Sequence, residues 1–218
     1  MNLQFAMTDE PAAVKAYRQL EQMIVTLDLL PGMVTTEGAL ITRLGLGRTP
    51  VREAIQRLAW EGLVEVRPRA GLAIAPLHPG DRVRVIEARR GIEIVLARRA
   101  ARFVPRQAEA TFHAAALAMQ KAVLTSDPVA FLDADKTMDE ALAEAADNPF
   151  ASRLAAPLQS HSRRFWFRFR SETGLAEAAE HHVALIRSIL DGREAEAGAA
   201  AVRLLDLLES YAEAALRR

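Results

Sequence analysis

A single stretch of alternating residues interrupts a chain whose hydrophobic pattern otherwise has the period of an α-helix. Val64-Glu65-Val66-Arg67 and Leu72-Ala73-Ile74 alternate on either side of a turn that contains Pro68 and Gly71, which predicts a β-hairpin. Elsewhere apolar residues recur in steps of three and four, as in amphipathic helices. One hairpin cannot form a sheet-based core, so we predict a mainly α fold.

The segment at residues 76–81, PLHPGD, predicts a boundary between two domains. Its two prolines and one glycine disfavour both helix and strand, and they favour a hinge. A chain of 218 residues is long enough for two small domains. We therefore assign residues 8–77 to one domain and residues 78–218 to the other.

The first domain is predicted to be a winged helix-turn-helix, in which three helices precede the hairpin. Its first helix carries a stripe of apolar residues, namely Val14, Tyr17, Leu20, Ile24 and Leu27. Thr35 or Thr36 is expected to cap the second helix. Pro50 suits the first turn of the third helix, where its missing N–H is not needed.

The second domain is predicted to be an all-helical antiparallel bundle. Prolines and glycines break its sequence into six amphipathic segments, and short breaks between such segments favour antiparallel neighbours. The predicted helices span residues 81–103, 106–125, 128–146, 149–172, 174–191 and 194–217.

The third helix combines a buried stripe with a polar face that suits DNA. The stripe consists of Val51, Ile55 and Leu58, and the side chains on the polar face are Arg48, Thr49, Arg52 and Gln56. A guanidinium fork fits guanine O6 and N7 or phosphate oxygens, and a threonine hydroxyl fits a base edge or a phosphate. Arg69 and Gly71, at the hairpin tip, are expected to reach the DNA backbone or the adjacent minor groove.

Charge is distributed unevenly, although 28 basic and 28 acidic residues give a formal net charge of zero. A neutral chain gains little from bulk attraction to DNA or membranes, so binding needs a local patch. Residues 43–69 contain six arginines and three glutamates, a net charge of +3. This patch is either a DNA-binding surface or a solvated helix face, and the neighbouring turn, Pro50 and hairpin favour DNA.

Several compartments and site types are disfavoured by the composition. The chain contains no cysteine, so it has neither a disulfide framework nor a thiolate zinc site. Its apolar stretches are too short for a transmembrane helix. The N-terminal segment MNLQFAMTDE lacks the layout of a signal peptide. We expect a cytoplasmic protein without a membrane partner.

Motifs at fixed spacings in the first domain carry a family resemblance. Leu30-Pro31-Gly32, the segment GLGRTPVREA at residues 45–54 and Glu61-Gly62-Leu63-Val64 resemble the DNA-binding domain of the GntR family of bacterial transcription regulators. The resemblance implies DNA contacts from Arg48, Thr49, Arg52 and the hairpin tip. The family usually has serine at the position of Gly47, and some members have arginine at that of Gly38, which implies weaker backbone anchoring here.

The second domain resembles the effector-binding domain of the FadR-like (FCD) branch of that family. The residues that carry this resemblance are EARRGIE at 87–93, Asp135, AADNP at 145–149 and EHH at 180–182. It implies a helical bundle that binds a small effector. The candidate effector-binding residues are Arg89, Asn148 and Arg163. Arg89 has two interpretations, a bidentate partner for a carboxylate effector or an ion pair with Glu93.

The resemblance also implies a divalent metal, but the usual ligand set is incomplete. The four ligands, one Asp and three His, correspond to Asp135, Asp139, His182 and Leu204. Asp139 supplies an oxygen in place of a nitrogen, and Leu204 cannot bind a metal. Two carboxylates that face an interior need a cation, a proton or a basic side chain. Zn²⁺, Mn²⁺ or Mg²⁺ on Asp135, Asp139 and His182, a metal-free pocket and a solvated face all remain open.

The segment at residues 161–170 mixes three phenylalanines and one tryptophan with four arginines. Such mixing occurs where nucleic-acid bases stack on protein side chains. At helical spacing we expect instead that the aromatic rings lie in the core or at a subunit contact, with the arginines outside.

These observations together predict a ligand-responsive DNA-binding transcription regulator, specifically a repressor and not an enzyme. A homodimer would bind a pseudo-palindromic double-stranded DNA operator and sense a small metabolite such as an organic acid. One alternative is a small metal-dependent hydrolase or lyase built on Asp135, Asp139 and His182, but no nucleophile–base pair accompanies them. The other is a sensor that no longer binds DNA, which the Arg48-Thr49-Pro50-Val51-Arg52 segment disfavours.

Overall fold

The computed structural model describes residues 10–69, 71–171 and 174–216. The chain divides into two compact units, of which the first ends at Leu77 and the second begins at His78. The described ranges contain nine α-helices and three short strands, so the predicted mainly α fold is confirmed. None of the helices in these ranges combines the length and the apolar character needed to cross a membrane.

The first unit is a winged helix-turn-helix, as predicted. Its elements in chain order are α1 (Ala12–Val25), β1 (Val34–Thr35), α2 (Glu37–Leu44), α3 (Arg48–Trp60), β2 (Val64–Arg67) and β3 (Gly71–Ile74). The strands form an antiparallel sheet in the order β1-β3-β2. Val64 pairs with Ile74 in the predicted hairpin, and Val34 pairs with Ala73.

The core of this unit lies between α1, α3 and the sheet, where Leu20, Ile24 and Leu58 are almost fully buried. Leu27 was predicted on the stripe of α1, and this prediction is wrong because the helix ends at Val25. Leu27 adopts a positive φ of 60°, which takes the chain out of the helix. Leu29, two residues later, fills the core instead.

Helix ends in the first unit follow from local capping. The Thr36 hydroxyl accepts a hydrogen bond from the Ala39 N–H and caps α2, and Gly45 closes this helix in the left-handed conformation. Gly47 stands at the N-cap of α3 and makes no side-chain bond, as the missing serine predicted. The short strand β1 was not predicted, because two residues are too few to show alternation.

Gly71 is the first residue of β3, which pairs with β1. Its φ of +90° lies in the region that favours glycine, and an added Cβ would lie 2.6 Å from the Thr35 carbonyl oxygen. The close approach of β1 and β3 therefore explains why glycine stands at this position.

The second unit is the predicted helical bundle. Its helices are α4 (Asp81–Arg102), α5 (Arg106–Leu124), α6 (Pro128–Ala146), α7 (Pro149–Phe169), α8 (Gly174–Leu190) and α9 (Glu194–Leu216). The ends agree with the prediction to within a few residues. The predicted ends of two helices, at residues 172 and 217, fall outside the described residues.

Helix starts and packing in this unit follow from the sequence. The side chains of Asp127 and Asn148 cap α6 and α7, each followed by a proline at the first helical position. Helix α4 contacts α6, α7, α8 and α9 and is therefore the centre of the bundle, while α5 packs on α6 and α8. Much of the core consists of alanine, which allows the helices to approach closely.

Candidate functional sites

The polar face of α3 is exposed, as the sequence predicts. The buried side of the helix consists of Val51, Ala54, Ile55 and Leu58. Arg48, Thr49, Arg52 and Gln56 are all solvent-exposed. Because the core holds the opposite side of the helix, these four side chains are presented together on a rigid element.

Four of the six arginines between residues 43 and 69 have acidic partners. The pairs are Arg43–Asp28 at 2.6 Å, Arg52–Glu37 at 2.9 Å, Arg57–Glu61 at 2.9 Å and Arg67–Glu65 at 2.8 Å. Arg48 and Arg69 form no ion pair with any residue in the described ranges. The uncompensated positive charge of this segment therefore lies at the start of α3 and at the hairpin tip.

Arg57 is exposed and contacts both α1 and the end of α3. Its guanidinium lies 3.7 Å from the centre of the Tyr17 ring, and its Nε donates to Glu61. The Tyr17 hydroxyl donates to the other Glu61 oxygen at 2.8 Å. Burial, with the nearby Glu21 and Glu61 charges, raises the pKa of Tyr17 well above its usual value. This cluster links α3 to α1, and it occupies the Arg57 guanidinium with Tyr17 and Glu61.

The hairpin tip presents Arg69, which is exposed and has a positive φ of 64°. Residue 70 lies outside the described residues. Gly71 is only partly exposed, and its role in the sheet is explained by the approach to β1. A contact from Gly71 to DNA remains a prediction that would involve its backbone.

A cluster of buried ionisable side chains occupies the second unit. It is assembled from α4, α6, α7 and α8, and its members are Arg89, Glu93, Asp135, Asp139, Arg163 and His182. These are three basic and three acidic groups, so the cluster can compensate its own charge. Burial of charged groups is tolerated in proteins when they are paired in this way.

Arg163 joins the two aspartates of α6. Its Nη1 donates to Asp139 Oδ2 at 2.6 Å and to Asp135 Oδ2 at 3.3 Å. The His182 Nε2 lies 2.8 Å from Asp135 Oδ1, and its Nδ1 lies 2.6 Å from the Ala178 carbonyl oxygen. Both ring nitrogens face acceptors, so the imidazolium form satisfies both contacts.

The pKa values of the aspartates move in opposite directions. Burial alone would raise the pKa of Asp135, but the charge and hydrogen bond of His182, together with Arg163, lower it below its usual range. Burial and the neighbouring Asp135 carboxylate raise the pKa of Asp139 to about 7. Burial would lower the pKa of His182, but the Asp135 carboxylate raises it. Asp135 therefore remains ionised at pH values at which Asp139 can take up a proton.

The residues present do not fit the metal site that the family resemblance implied. Asp135, Asp139 and His182 converge as predicted, but the guanidinium of Arg163 lies between the two carboxylates, where it supplies the compensating positive charge. Leu204, at the fourth position, is buried. Across residues 10–69, 71–171 and 174–216, no three His, Cys, Asp or Glu side chains are grouped to hold a metal ion. Of the three ways to compensate two interior carboxylates, namely a cation, a proton or a basic side chain, the structure therefore shows a basic side chain, Arg163.

Arg89 forms the predicted ion pair with Glu93, one turn along α4. Its Nε and Nη2 donate to the two Glu93 oxygens at 2.7 and 3.0 Å, and its Nη1 donates to Ser162 Oγ at 2.6 Å. Burial would lower the pKa of Arg89, but Glu93 outweighs this effect and raises it. An incoming anion would therefore compete with Glu93 or Ser162 for this guanidinium.

A small cavity lies beside the cluster. Its volume of about 20 Å³ is room for about one water molecule, and its lining includes Arg89, Asp135, Ser162, Arg163, Trp166 and His182. Trp166 is buried, and its indole Nε1 has no hydrogen-bond partner among the described residues. Sequence reasoning missed Ser162 and Trp166 as cavity residues, since their helix face becomes visible only once α7 is packed.

Two expectations for α7 need correction. Asn148 does not line the cavity: its side-chain oxygen accepts a hydrogen bond from the Ala151 N–H and caps the helix. The arginines of residues 161–170 were expected outside, yet Arg163 and Arg164 are buried beside Phe165 and Trp166. For Arg163 the physical reason is the pair of carboxylates on α6, Asp135 and Asp139, which accept hydrogen bonds from its guanidinium.

Comparison with known proteins identifies both units. Residues 12–74 match the family described as bacterial regulatory proteins, gntR family, and residues 84–207 match the FCD domain. An uncharacterized HTH-type transcriptional regulator of Streptomyces ambofaciens is 44% identical over 63 residues, which are 29% of this chain and only 27% of that relative. A probable D-xylose utilization operon transcriptional repressor of Paenarthrobacter nicotinovorans is 30% identical over 164 residues, 75% of this chain and 70% of that relative.

The solved structure of E. coli McbR/YncC has the same fold. It superimposes with a TM-score of 0.80 at 15% sequence identity, covering 94% of this chain and 98% of that one. Identity this low supports the shared architecture alone. The two matched domains account for residues 12–74 and 84–207, in the order expected from the sequence. The chain belongs to the gntR family of bacterial regulatory proteins and carries an FCD domain.

Proposed function

We propose that this chain is a transcription regulator, specifically a repressor, that binds double-stranded DNA through the winged unit and a small effector through the helical unit. The observation that carries the proposal is the exposed face of α3, with Arg48, Thr49, Arg52 and Gln56 opposite a buried stripe. An α-helix of this kind fits the major groove, where each base pair has a distinct pattern of donors and acceptors.

Arg48 and Arg69, which form no ion pair within the described ranges, are proposed to contact different parts of the DNA from Arg52 and Gln56. Arg48 stands at the first turn of α3, where the positive end of the helix dipole adds to its attraction for phosphate. Arg69, at the hairpin tip, suits the phosphate backbone or the adjacent minor groove. Contacts to phosphate position a protein on DNA, while contacts to base edges provide sequence specificity. Arg52 and Gln56, further along α3, are the candidates for base contacts.

The active form is proposed to be a homodimer on a pseudo-palindromic operator. Winged and other helix-turn-helix proteins bind two half-sites with two copies of the recognition helix, so that protein and operator share a two-fold axis. A single α3 offers four polar side chains, which is a small contact for tight binding at physiological salt. Two copies double the number of contacts and relate the half-sites by a fixed spacing.

The effector is proposed to be a small organic acid that binds next to the buried cluster. The cavity is lined by two guanidinium groups, Arg89 and Arg163, by the Ser162 hydroxyl and by Trp166, whose indole N–H has no partner among the described residues. These four groups can donate hydrogen bonds, and a carboxylate accepts hydrogen bonds from several donors at once. The Asp135 carboxylate also lines the cavity, but Arg163 and His182 already compensate its charge. Because the cavity holds about one water molecule, the effector would displace side chains as it enters.

Such a displacement would link the effector to DNA binding. A ligand shifts an equilibrium only when it binds two arrangements of the protein with different affinity. The observed cavity is too small to hold the effector, so effector binding favours a different arrangement of α4, α6, α7 and α8. No metal is required for this step, because Arg163 already supplies the positive charge.

DNA titration tests the proposal against both alternatives. A pool of random-sequence duplexes is selected with the full chain, and the enriched duplex and an unrelated duplex are compared by fluorescence anisotropy. The proposal expects enrichment of a pseudo-palindrome and binding at least 10³-fold tighter than to the unrelated duplex, of the order typical for specific regulators. Equal binding to the two duplexes, or none, would leave the non-DNA-binding sensor or the hydrolase as the better account.

A thermal-shift screen of small carboxylic acids tests the effector. A ligand that binds only the folded state raises the melting temperature by mass action. The enriched duplex should then lose or gain affinity when the acid is present. An acid that raises the melting temperature equally in Arg163→Ala and in the unchanged chain would refute the assigned cavity.

A further inference from the structure

Arg52 is held by a carboxylate from a different helix. Its Nε donates to Glu37 Oε2 at 3.1 Å and its Nη2 donates to Glu37 Oε1 at 2.9 Å. Glu37 is the first residue of α2, where the helix dipole favours a negative charge. Fifteen residues of sequence separate the two partners, and both side chains lie on the exposed side of the winged unit.

This contact uses one particular edge of the guanidinium. A guanidinium has five N–H donors, and the pair with Glu37 occupies the Nε–H and the adjacent Nη2–H. The outer edge, with one N–H on each of Nη1 and Nη2, makes no hydrogen bond to any described residue. Two parallel N–H groups on that edge match O6 and N7 of a guanine in the major groove.

The carboxylate also limits the conformations of a flexible side chain. A free arginine on a helix surface loses considerable rotamer entropy when it is fixed on a base, and preorganisation removes part of that cost. An exposed ion pair adds little to folding stability by itself. Its negative charge near the DNA would also weaken binding to any phosphate backbone. Both effects increase the difference in binding free energy between correct and incorrect DNA sequences more than they increase the affinity for the correct one.

We propose that Glu37 is a positioning residue for DNA recognition, which holds Arg52 so that its outer edge contacts one guanine in each half-site. The proposal rests on the proposed DNA binding and names the base that Arg52 recognises. Glu37 itself touches no DNA: it acts through Arg52. The sequence gives no signal for this pairing, because α2 and α3 are brought together only by the fold.

The test uses the full chain and the duplex that it enriches from a random pool. Each guanine in one half-site is replaced in turn by 7-deazaguanine, which lacks the N7 acceptor. In the unchanged chain, one substitution is expected to weaken binding about tenfold, the loss of part of a bidentate contact. In Glu37→Gln this penalty should fall severalfold, while binding to an unrelated duplex is unchanged or tighter.

Two further variants separate positioning from a structural role. In an Arg52→Ala background, Glu37→Gln should leave the guanine preference unchanged, because the residue through which it acts is gone. Asp28→Asn is the matched control, since it removes the carboxylate of another exposed pair, Arg43–Asp28, away from α3. Its guanine preference should equal that of the unchanged chain.

The outcomes distinguish this inference from the proposed function. A guanine preference in Glu37→Gln equal to that of the unchanged chain overturns the positioning role and leaves DNA binding intact. A guanine preference that falls in Glu37→Gln even when Arg52 is alanine also overturns it. If the unchanged chain enriches no duplex at all, the proposed function fails first, and the inference fails with it.

Discussion

The two units each contain an arginine that pairs with a carboxylate at nearly the same distance, but in opposite environments. Arg52 and Glu37 lie 2.9 Å apart with 55% and 33% of their side chains exposed. Arg163 and Asp139 lie 2.6 Å apart with 8% and 7% exposed. In the exposed pair, water can replace either partner, whereas water has little access to the buried pair. The arginine–carboxylate pair of the winged unit can therefore exchange partners, and that of the helical unit cannot.

This difference matches what each unit is proposed to do. An arginine that binds DNA must change partners at low cost, and exposed ion pairs contribute between zero and about 1 kcal/mol. An arginine that replaces an internal cation must stay in place, and leaving a buried charge unpaired is costly. Both arginines carry the same charge, so the exposure of the guanidinium, and not its charge, distinguishes the proposed DNA-binding arginine from the arginine of the buried cluster.

The largest expected effect comes from removing the buried arginine. Arg163→Ala leaves Asp135 and Asp139 buried without their shared cation, and we expect the free energy of unfolding to fall by about 3–5 kcal/mol. Urea denaturation followed by circular dichroism measures this change. Arg153→Ala, an exposed position on the same helix, is the control and should change stability by less than about 0.5 kcal/mol. If Arg163→Ala and Arg153→Ala had the same free energy of unfolding, the buried pair would contribute no more to stability than an exposed arginine, which would contradict the account.

The next effect concerns the exposed arginines and appears in DNA binding, with little change in folding. Arg52→Ala should weaken binding to the enriched duplex by about 1–3 kcal/mol, as expected for a lost base contact, whereas Arg48→Ala should weaken binding to the enriched and the unrelated duplex alike, as expected for a lost phosphate contact. Arg52→Lys keeps the charge but loses the planar fork, so it should retain binding to an unrelated duplex and lose sequence preference. Anisotropy titrations in one buffer measure both, and unchanged affinity in both alanine variants would contradict the assignment of α3.

A smaller effect is expected at the start of α3. Gly47 has an extended backbone conformation, with φ of −65° and ψ of 160°, and an added Cβ would lie 3.6 Å from Pro50 Cδ, an ordinary contact. Gly47→Ser should add an N-cap and reduce the freedom of the unfolded chain, raising stability by about 0.5 kcal/mol. Gly47→Ala shares the second effect only, so the difference between the variants in urea denaturation measures the cap. A serine variant no more stable than the alanine variant would show that the hydroxyl does not cap α3.

The smallest effect is expected from metal removal. Because Arg163 supplies the charge between Asp135 and Asp139, dialysis against EDTA should leave the melting temperature unchanged. Elemental analysis after purification in metal-supplemented medium should find far less than one metal ion per chain. A stoichiometric metal, together with a lower melting temperature after EDTA, would show that a metal and not the guanidinium compensates the aspartates.

Periodicity and capping residues predicted most of the fold. Helices α6 and α7 begin at Asp127-Pro128 and Asn148-Pro149, as the sequence indicates, because caps act over a few residues. Leu27 continued the spacing of α1, yet a positive φ removes it from the helix. Spacing alone does not report such a local backbone change.

The exposed site was easier to predict than the buried one. The exposed polar face of α3 depends on one helix and its own buried stripe, so spacing within a dozen residues identifies it. The buried cluster depends on four helices: Arg163 lies 24 residues from Asp139, and Arg89 lies 73 residues from Ser162. Sequence placed Asp135, Asp139 and His182 together through the resemblance, but the position of Arg163 between the carboxylates depends on helix packing.

Methylation interference on the enriched duplex tests the central assignment of α3 most directly. Dimethyl sulfate modifies guanine N7, which faces the major groove, and adenine N3, which faces the minor groove. We predict that guanine N7 methylation in both half-sites blocks binding by the unchanged chain, and that the block at one guanine disappears in Arg52→Ala. Interference restricted to adenine N3, or a guanine pattern that is identical in Arg52→Ala, would contradict major-groove recognition by this helix.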